Sequence, residues 1–258
     1  MSASADLAAL FELVVRDLAD DAPRFVLADR WLELHDPRGE LVTLQLRKTS
    51  TAEDLEKIRA IVWYDRDWLG ELALVTRARV YVRGFLDELE LPPPAAATPE
   101  RWRAATRNPN LRTVRRIRVG AGSELDYRAF LFSPEMRNLE DAEVTSLALF
   151  REVLEASSLR KLRRLTLLPT FAHAAVRDAV VAATARPGLE RITVIGGNPT
   201  SLLPLATETT SVAVTSDELM VLATRTKECL LIQGDNAERI VRSIRRSRPK
   251  ETVRVVSR

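Results

Sequence analysis

Leu162-Arg163-Arg164-Leu165-Thr166-Leu167 is one member of a series with the cadence apolar, two residues, apolar, one residue, apolar. The same cadence reads Val114/Ile117/Val119, Leu139/Ala142/Val144 and Leu189/Ile192/Val194. Fainter copies stand at Thr209/Val212/Val214, Lys227/Leu230/Ile232 and Lys250/Val253/Val255. The central residues 117, 142, 165, 192, 212, 230 and 253 are separated by 25, 23, 27, 20, 18 and 23 positions. One short strand in every ~20–30 residues is the pattern of stacked strand–helix repeats. A strand, a helix and a neighbouring strand then give a parallel sheet with right-handed crossovers. The expected fold class is α/β: a small helical N-terminal domain followed by a right-handed α/β solenoid with a parallel sheet.

Between the strands the spacing predicts helices near 126–133, 147–157, 172–185, 216–226 and 236–247, with 199–206 left as a loop or single turn. Two starts carry capping-box spacing, Thr215 with Glu218 and Asp235 with Glu238. The cadence residues point inward to the helices, and period-two alternation sends their neighbours outward. One outward row is Arg116, Asp141, Arg164, Arg191, Ser211, Cys229 and Thr252; the next is Arg118, Glu143, Thr166, Thr193, Ala213, Leu231 and Arg254. Arginine, threonine and exposed aliphatic side chains together suit a protein or peptide ligand, with arginine as the anchor. The candidate binding residues are Arg116, Arg118, Asp141, Glu143, Arg164, Thr166, Arg191, Thr193 and Leu231. The plainer alternative is a solvated face with no ligand. Each unit is similar to a leucine-rich repeat, but the asparagine expected after the strand is missing and unit lengths wander. The resemblance implies an irregular, leucine-rich-repeat-like array.

The front of the chain reads as short helices. Leu7, Leu10, Phe11, Val14, Val15 and Leu18 share one helical face. Asp20-Asp21-Ala22-Pro23 and Asp36-Pro37 mark the next two starts, and Thr51-Ala52-Glu53-Asp54 a fourth. Val80-Tyr81-Val82 alternates as a strand, Gly84 permits a sharp bend, and Leu86, Leu89 and Leu91 suggest a return. Pro92-Pro93-Pro94 is a stiff connector. The expected division is 1–91 helical with a short β-hairpin, 92–110 connector and capping helix around Trp102, and 111–258 repeats. Trp31 and Trp63 are expected in a core or domain interface.

Asp21–Leu46, DAPRFVLADRWLELHDPRGELVTLQL, resembles the repeat-companion domain of planctomycetes and myxobacteria, a module found ahead of leucine-rich-type repeats. Asp21, Pro23, Arg24, Val26, Ala28, Asp29, Asp36, Pro37, Arg38, Gly39, Glu40, Leu44 and Gln45 match its pattern; Leu27, Arg30-Trp31 and His35 depart from it. Arg83-Gly84-Phe85 is similar to the bend that often follows this module. The resemblance implies a bacterial companion-plus-repeat protein and carries no enzymatic activity with it. Arg24, Asp29, Asp36, Arg38 and Glu40 are read as a structural network of caps and ion pairs that fixes how short helices cross, rather than as an active site.

With 46% apolar and 29% charged residues the composition is that of a soluble globular chain. No apolar run approaches the ~20 residues of a membrane span, and the first residues show no secretory pattern. The lone Cys229 excludes an internal disulfide and suits a reducing compartment, so the expected location is cytoplasmic. The basic residues are almost all arginine; acidic residues nearly balance them at a net charge of +3, which favours compositional bias over phosphate recognition. His35, His173 and Cys229 share no metal-ligand spacing. No cofactor, metal, catalytic residue, small-molecule substrate or membrane partner is expected. The expected function is a non-enzymatic adaptor whose protein partner is encoded nearby. The alternative is nucleic-acid binding through the arginine-rich lead-ins and the basic tail, Arg242, Arg245, Arg246, Arg248 and Lys250.

Overall fold

Helices begin where a short polar side chain accepts an amide that the helix leaves unpaired. In the computed structural model, which describes residues 3–91, 98–119, 124–168, 183, 186–195, 210–216, 219–225, 230–234, 242 and 253–256, α1 spans Ala3–Arg16, α2 Ala22–Glu33, α3 Pro37–Gln45 and α4 Ala52–Trp63. The Asp20 carboxylate accepts the Ala22 amide at 2.9 Å, and Asp36 accepts that of Arg38 at 3.0 Å. Thr51 and Asp54 form a reciprocal capping box at α4. The chain divides into two units, Met1–Ile117 with Leu125–Asn138, and Arg118–Glu124 with Leu139–Arg258.

In the first unit α1, α2 and α3 close over a core of Val14, Leu27, Ala28, Trp31, Val42 and Phe85. Burial of each large apolar side chain is worth about 1.5–3 kcal/mol. Phe85 lies 6.1 Å from Phe11 and 5.7 Å from Trp31, ring centre to ring centre. Gly39 lets α3 cross α2: a Cβ there would sit 2.7 Å from the Ala28 carbonyl oxygen and 2.8 Å from the Leu32 nitrogen. After the short helices α5 (Arg66–Leu69) and α6 (Glu71–Leu74), strands β1 (Ala78–Val82) and β2 (Phe85–Leu91) pair antiparallel. Val82 faces Phe85, so Arg83 and Gly84 alone make the turn. Their φ angles are 54° and 83°, the pair of positive values that a tight right-twisted hairpin needs. Gln45 braces that turn, donating to the Tyr81 carbonyl at 3.1 Å and accepting the Gly84 amide at 2.7 Å.

Helix α7 (Pro99–Ala105) buries Trp102, which meets Phe130 edge-on at 5.4 Å; Phe130 belongs to α8 (Glu124–Leu131). Trp31 is a core residue, whereas Trp63 is 82% exposed at the end of α4, so its expected place in a core is corrected. It closes a helix whose only buried residue is Asp54.

Strand β3 (Arg116–Val119) carries the boundary between the units. The second unit continues with β4 (Asp141–Val144), α9 (Leu147–Glu155), β5 (Arg164–Leu167), β6 (Arg191–Ile195), β7 (Thr210–Ser216), β8 (Leu219–Arg225), β9 (Leu230–Gly234) and β10 (Val253–Val256). The β4–β5, β5–β6, β6–β7 and β9–β10 pairs are parallel. The chain is thus mixed α/β with a mostly parallel sheet. Ser146 caps α9 by accepting the Leu149 amide at 3.1 Å, and Leu149, Phe150 and Val153 are buried. Arg186, pushed below its ordinary pKa by burial, donates to the backbone carbonyls of Val153, Ala156 and Leu159 where α9 ends.

Two expectations are corrected. The helix expected over 216–226 is strand β8, antiparallel to both β7 and β9. The stretch Leu219-Met220-Val221-Leu222 suits either period, and a short apolar run with a partner strand on each side gains its hydrogen bonds as a strand. The cadence is also out by two residues at β7: Thr210 faces Ile192, and Val212 faces Val194. A slip of two preserves which face each residue occupies. The helices expected over 172–185 and 236–247 lie outside the described residues except at single positions.

Candidate functional site

Strand alternation decides which side chains of β4, β5 and β6 are available. Ala142, Val144, Leu165 and Leu167 are fully buried and Ile192 is 1% exposed. Between them Asp141, Glu143, Thr166 and Thr193 are half-buried, and Arg164 and Arg191 are exposed. The parallel register sets Asp141 beside Arg164 and Arg164 beside Arg191; one row on, Glu143, Thr166 and Thr193 align. Arg164 Nε lies 3.2 Å from Asp141 Oδ2. Three strands therefore bring together six of the nine candidate binding residues.

The other three lie on strands outside this trio, Arg118 on β3, the neighbour of β4 in the sheet order, and Leu231 well beyond β6. Arg116, half-buried in the first unit, ion-pairs with Glu88 at 2.9 Å and with the buried Asp87 at 2.7 Å. Asp87 also receives Arg115 Nε at 2.5 Å. Arg118 is exposed on the second-unit part of β3. Leu231 lies on β9, opposite Thr224 of β8 and Arg254 of β10, three strands beyond β6.

How β5 and β6 begin was not foreseen. The Glu140 carbonyl accepts the amides of both Arg163 and Arg164 at 2.9 Å, and the Arg163 carbonyl accepts those of Glu190 and Arg191 at 2.7 and 3.0 Å. Each strand start is thereby pinned to the one before it. Arg163 and Glu190 also ion-pair at 3.2 Å across solvent-exposed side chains. The dipeptides that open these strands, Arg163-Arg164 and Glu190-Arg191, carry the charges of that ion pair but do not signal the backbone contacts.

The five residues expected as a structural network divide into separate groups. Arg38 grips Asp36 through Nε and a terminal nitrogen at 3.0 and 2.6 Å, and its guanidinium lies 4.5 Å over Trp31. Burial disfavours the Asp36 carboxylate, but the hydrogen bonds from the Arg38 side chain and amide outweigh it and hold Asp36 below the usual carboxylate range. Arg24 is 2% exposed, donates to the carbonyls of Leu18 and Asp20, and lies 5.5 Å from the centre of the Phe85 ring. Asp29 and Glu40 stand exposed on α2 and α3. A further buried network escaped notice altogether. Asp65 accepts Arg79 Nε at 2.6 Å, an Arg79 terminal nitrogen at 3.1 Å and the Tyr81 hydroxyl at 3.0 Å. Burial, then the Asp65 charge, pushes the Tyr81 hydroxyl well above its ordinary value.

Among the described residues no group of histidine, cysteine, aspartate and glutamate is placed to hold a metal ion, and no helix is long and apolar enough to cross a membrane. Cys229, His173, and Arg245, Arg246, Arg248 and Lys250 of the basic tail lie outside the described residues; Arg242 is exposed. In comparison with known proteins the chain matches no family model, no curated protein and no solved structure.

Proposed function

We propose that this chain is a non-enzymatic interaction module that binds a protein or peptide through the outward face of β4, β5 and β6. The observation that carries the reading is the alternation across those strands: Ala142, Val144, Leu165, Leu167 and Ile192 are sealed away, while Asp141, Glu143, Arg164, Thr166, Arg191 and Thr193 reach solvent. Strands hold such side chains at fixed spacing, so binding costs little further ordering of the backbone. In this reading the first helices are a repeat-companion domain, and the strand–helix units are a leucine-rich-repeat-like solenoid interrupted by antiparallel β8. The single cysteine suits a cytoplasmic setting, and the partner is a protein encoded nearby.

Two observations favour this over the alternatives. Arg115, Arg116 and Arg163 are each engaged by a carboxylate, which leaves less charge free for a phosphate backbone. In the motif region, Asp36 is held charged by Arg38, so it is a poor proton carrier near neutral pH.

The test uses the immobilised full-length chain and extract of its source cells. Arg164→Glu with Arg191→Glu is expected to abolish retention of the protein that the wild type holds. Both side chains are exposed, so the thermal midpoint should move by no more than about 2 °C. Equal retention of that protein by the double variant overturns the reading. Duplex DNA bound at low salt and released by the same substitutions would transfer the face to the nucleic-acid reading.

A further inference from the structure

The rows across β4, β5 and β6 mostly set unlike or neutral groups side by side. Asp141 stands beside Arg164, and Glu143, Thr166 and Thr193 follow one another in the second row. The break comes at Arg164 and Arg191. These are direct neighbours on adjacent parallel strands, with Cα positions in register. Like charges placed opposite one another destabilise a sheet. Asp141 compensates Arg164 from the far side at 3.2 Å, with 46% of the Arg164 side chain still exposed. Glu190, the acidic residue next to Arg191 in sequence, is drawn to Arg163 at 3.2 Å instead. Among the described residues the first row thus carries two adjacent guanidinium groups with one carboxylate, Asp141, on one flank.

We infer that Arg164 and Arg191 form a receptor for a side-chain carboxylate, and that the partner presents an acidic, extended segment to this face. The inference rests on the docking face proposed above and names its ligand chemistry. A guanidinium presents parallel N–H donors that match the two oxygens of a carboxylate, and charge-assisted pairs of this kind are the stronger hydrogen bonds. A single carboxylate between two neighbouring guanidinium groups removes the repulsion between them while satisfying donors on both. Two residues further along each strand, about 6.6 Å at parallel-strand rise, the Thr166 and Thr193 hydroxyls are placed to take a polar group of the same segment. The segment's negative charge belongs over the first row at β5 and β6, where Arg164 and Arg191 stand side by side.

The probe is a short fluorescein-labelled peptide of alternating glutamate and serine, titrated into the full chain at about 0.15 M salt, where charges beyond ~8 Å are screened, and read by anisotropy. Arg191→Glu is expected to weaken binding by about tenfold or more, the loss of a charge-assisted contact. Asp141→Asn releases Arg164 and should strengthen binding about threefold, the scale of one exposed ion pair. Arg160→Glu, the same reversal ahead of β5, should leave affinity within about twofold. Equal binding of the glutamine counterpart of the peptide overturns the inference, as does an unchanged affinity in Arg191→Glu or tighter binding of duplex DNA than of the acidic peptide. A face that ignores the acidic peptide, yet loses its extract partner when Arg164 and Arg191 are reversed, refutes the carboxylate receptor and leaves the docking face standing.

Discussion

Asp65→Ala is expected to lower the free energy of unfolding by about 3–5 kcal/mol, because it strands a positive charge in a largely buried position. Asp65 sits just beyond α4, where sequence offers nothing but polar and aromatic residues, yet its side chain is 1% exposed. It receives two nitrogens of Arg79 and the Tyr81 hydroxyl, both on β1. Arg79 also donates to the Ala73 carbonyl and the Thr76 hydroxyl at 3.0 and 2.9 Å. One carboxylate thus ties the hairpin to the short helices α5 and α6. Without it, Arg79 keeps its desolvation cost and loses its counter-charge, and the Tyr81 hydroxyl loses its acceptor. Adding Arg79→Met should return part of the loss, since no unpaired charge then remains. Chemical denaturation of the wild type, the single and the double variant measures this; a single-variant cost below about 1 kcal/mol would contradict the network's role.

Gly84→Ala follows, at about 3 kcal/mol or more. Two costs add. At φ 83° an L side chain strains the backbone, by about 1–2 kcal/mol. The new Cβ would also stand 2.1 Å from Val42 Cγ2 and 2.7 Å from its Cα, so α3 itself would have to move. Gly188→Ala separates the two contributions, because Gly188 also has positive φ, at 81°, but nothing lies within 4 Å of its ideal Cβ. That control should cost only the backbone share. Equal losses in the two variants would show that the approach of the hairpin turn to α3 carries no energetic weight.

The legible parts of this fold are those set by short-range rules. Ile117, Ala142, Leu165 and Ile192 are buried at the expected centres of the cadence, because period-two alternation needs only neighbouring residues. The Arg83-Gly84 turn and the capping of α3 and α4 are equally local. What escaped depends on distant partners. Leu219–Arg225 is apolar enough for either period, and only the pairing on both sides makes it a strand. The spacing of Thr215 and Glu218 imitated a helix start that the structure does not use. Asp65 lies 14 and 16 residues from Arg79 and Tyr81, and no periodicity in the chain links them. At the candidate face, outward placement could be read from alternation, whereas the division of Glu140 and Glu190 between backbone and side-chain contacts could not. Leu231 stands apart because β7 and β8 intervene, and Arg116 is claimed by Asp87 and Glu88.

The docking face is tested most directly by arginine-selective modification with phenylglyoxal, read by peptide mass spectrometry with and without the protein retained from extract. Arg164 and Arg191 should react freely in the unbound chain and become protected in the complex, while Arg160, exposed ahead of β5, keeps reacting. Unchanged reactivity of Arg164 and Arg191 in the complex, with protection falling on arginines elsewhere, would contradict the account.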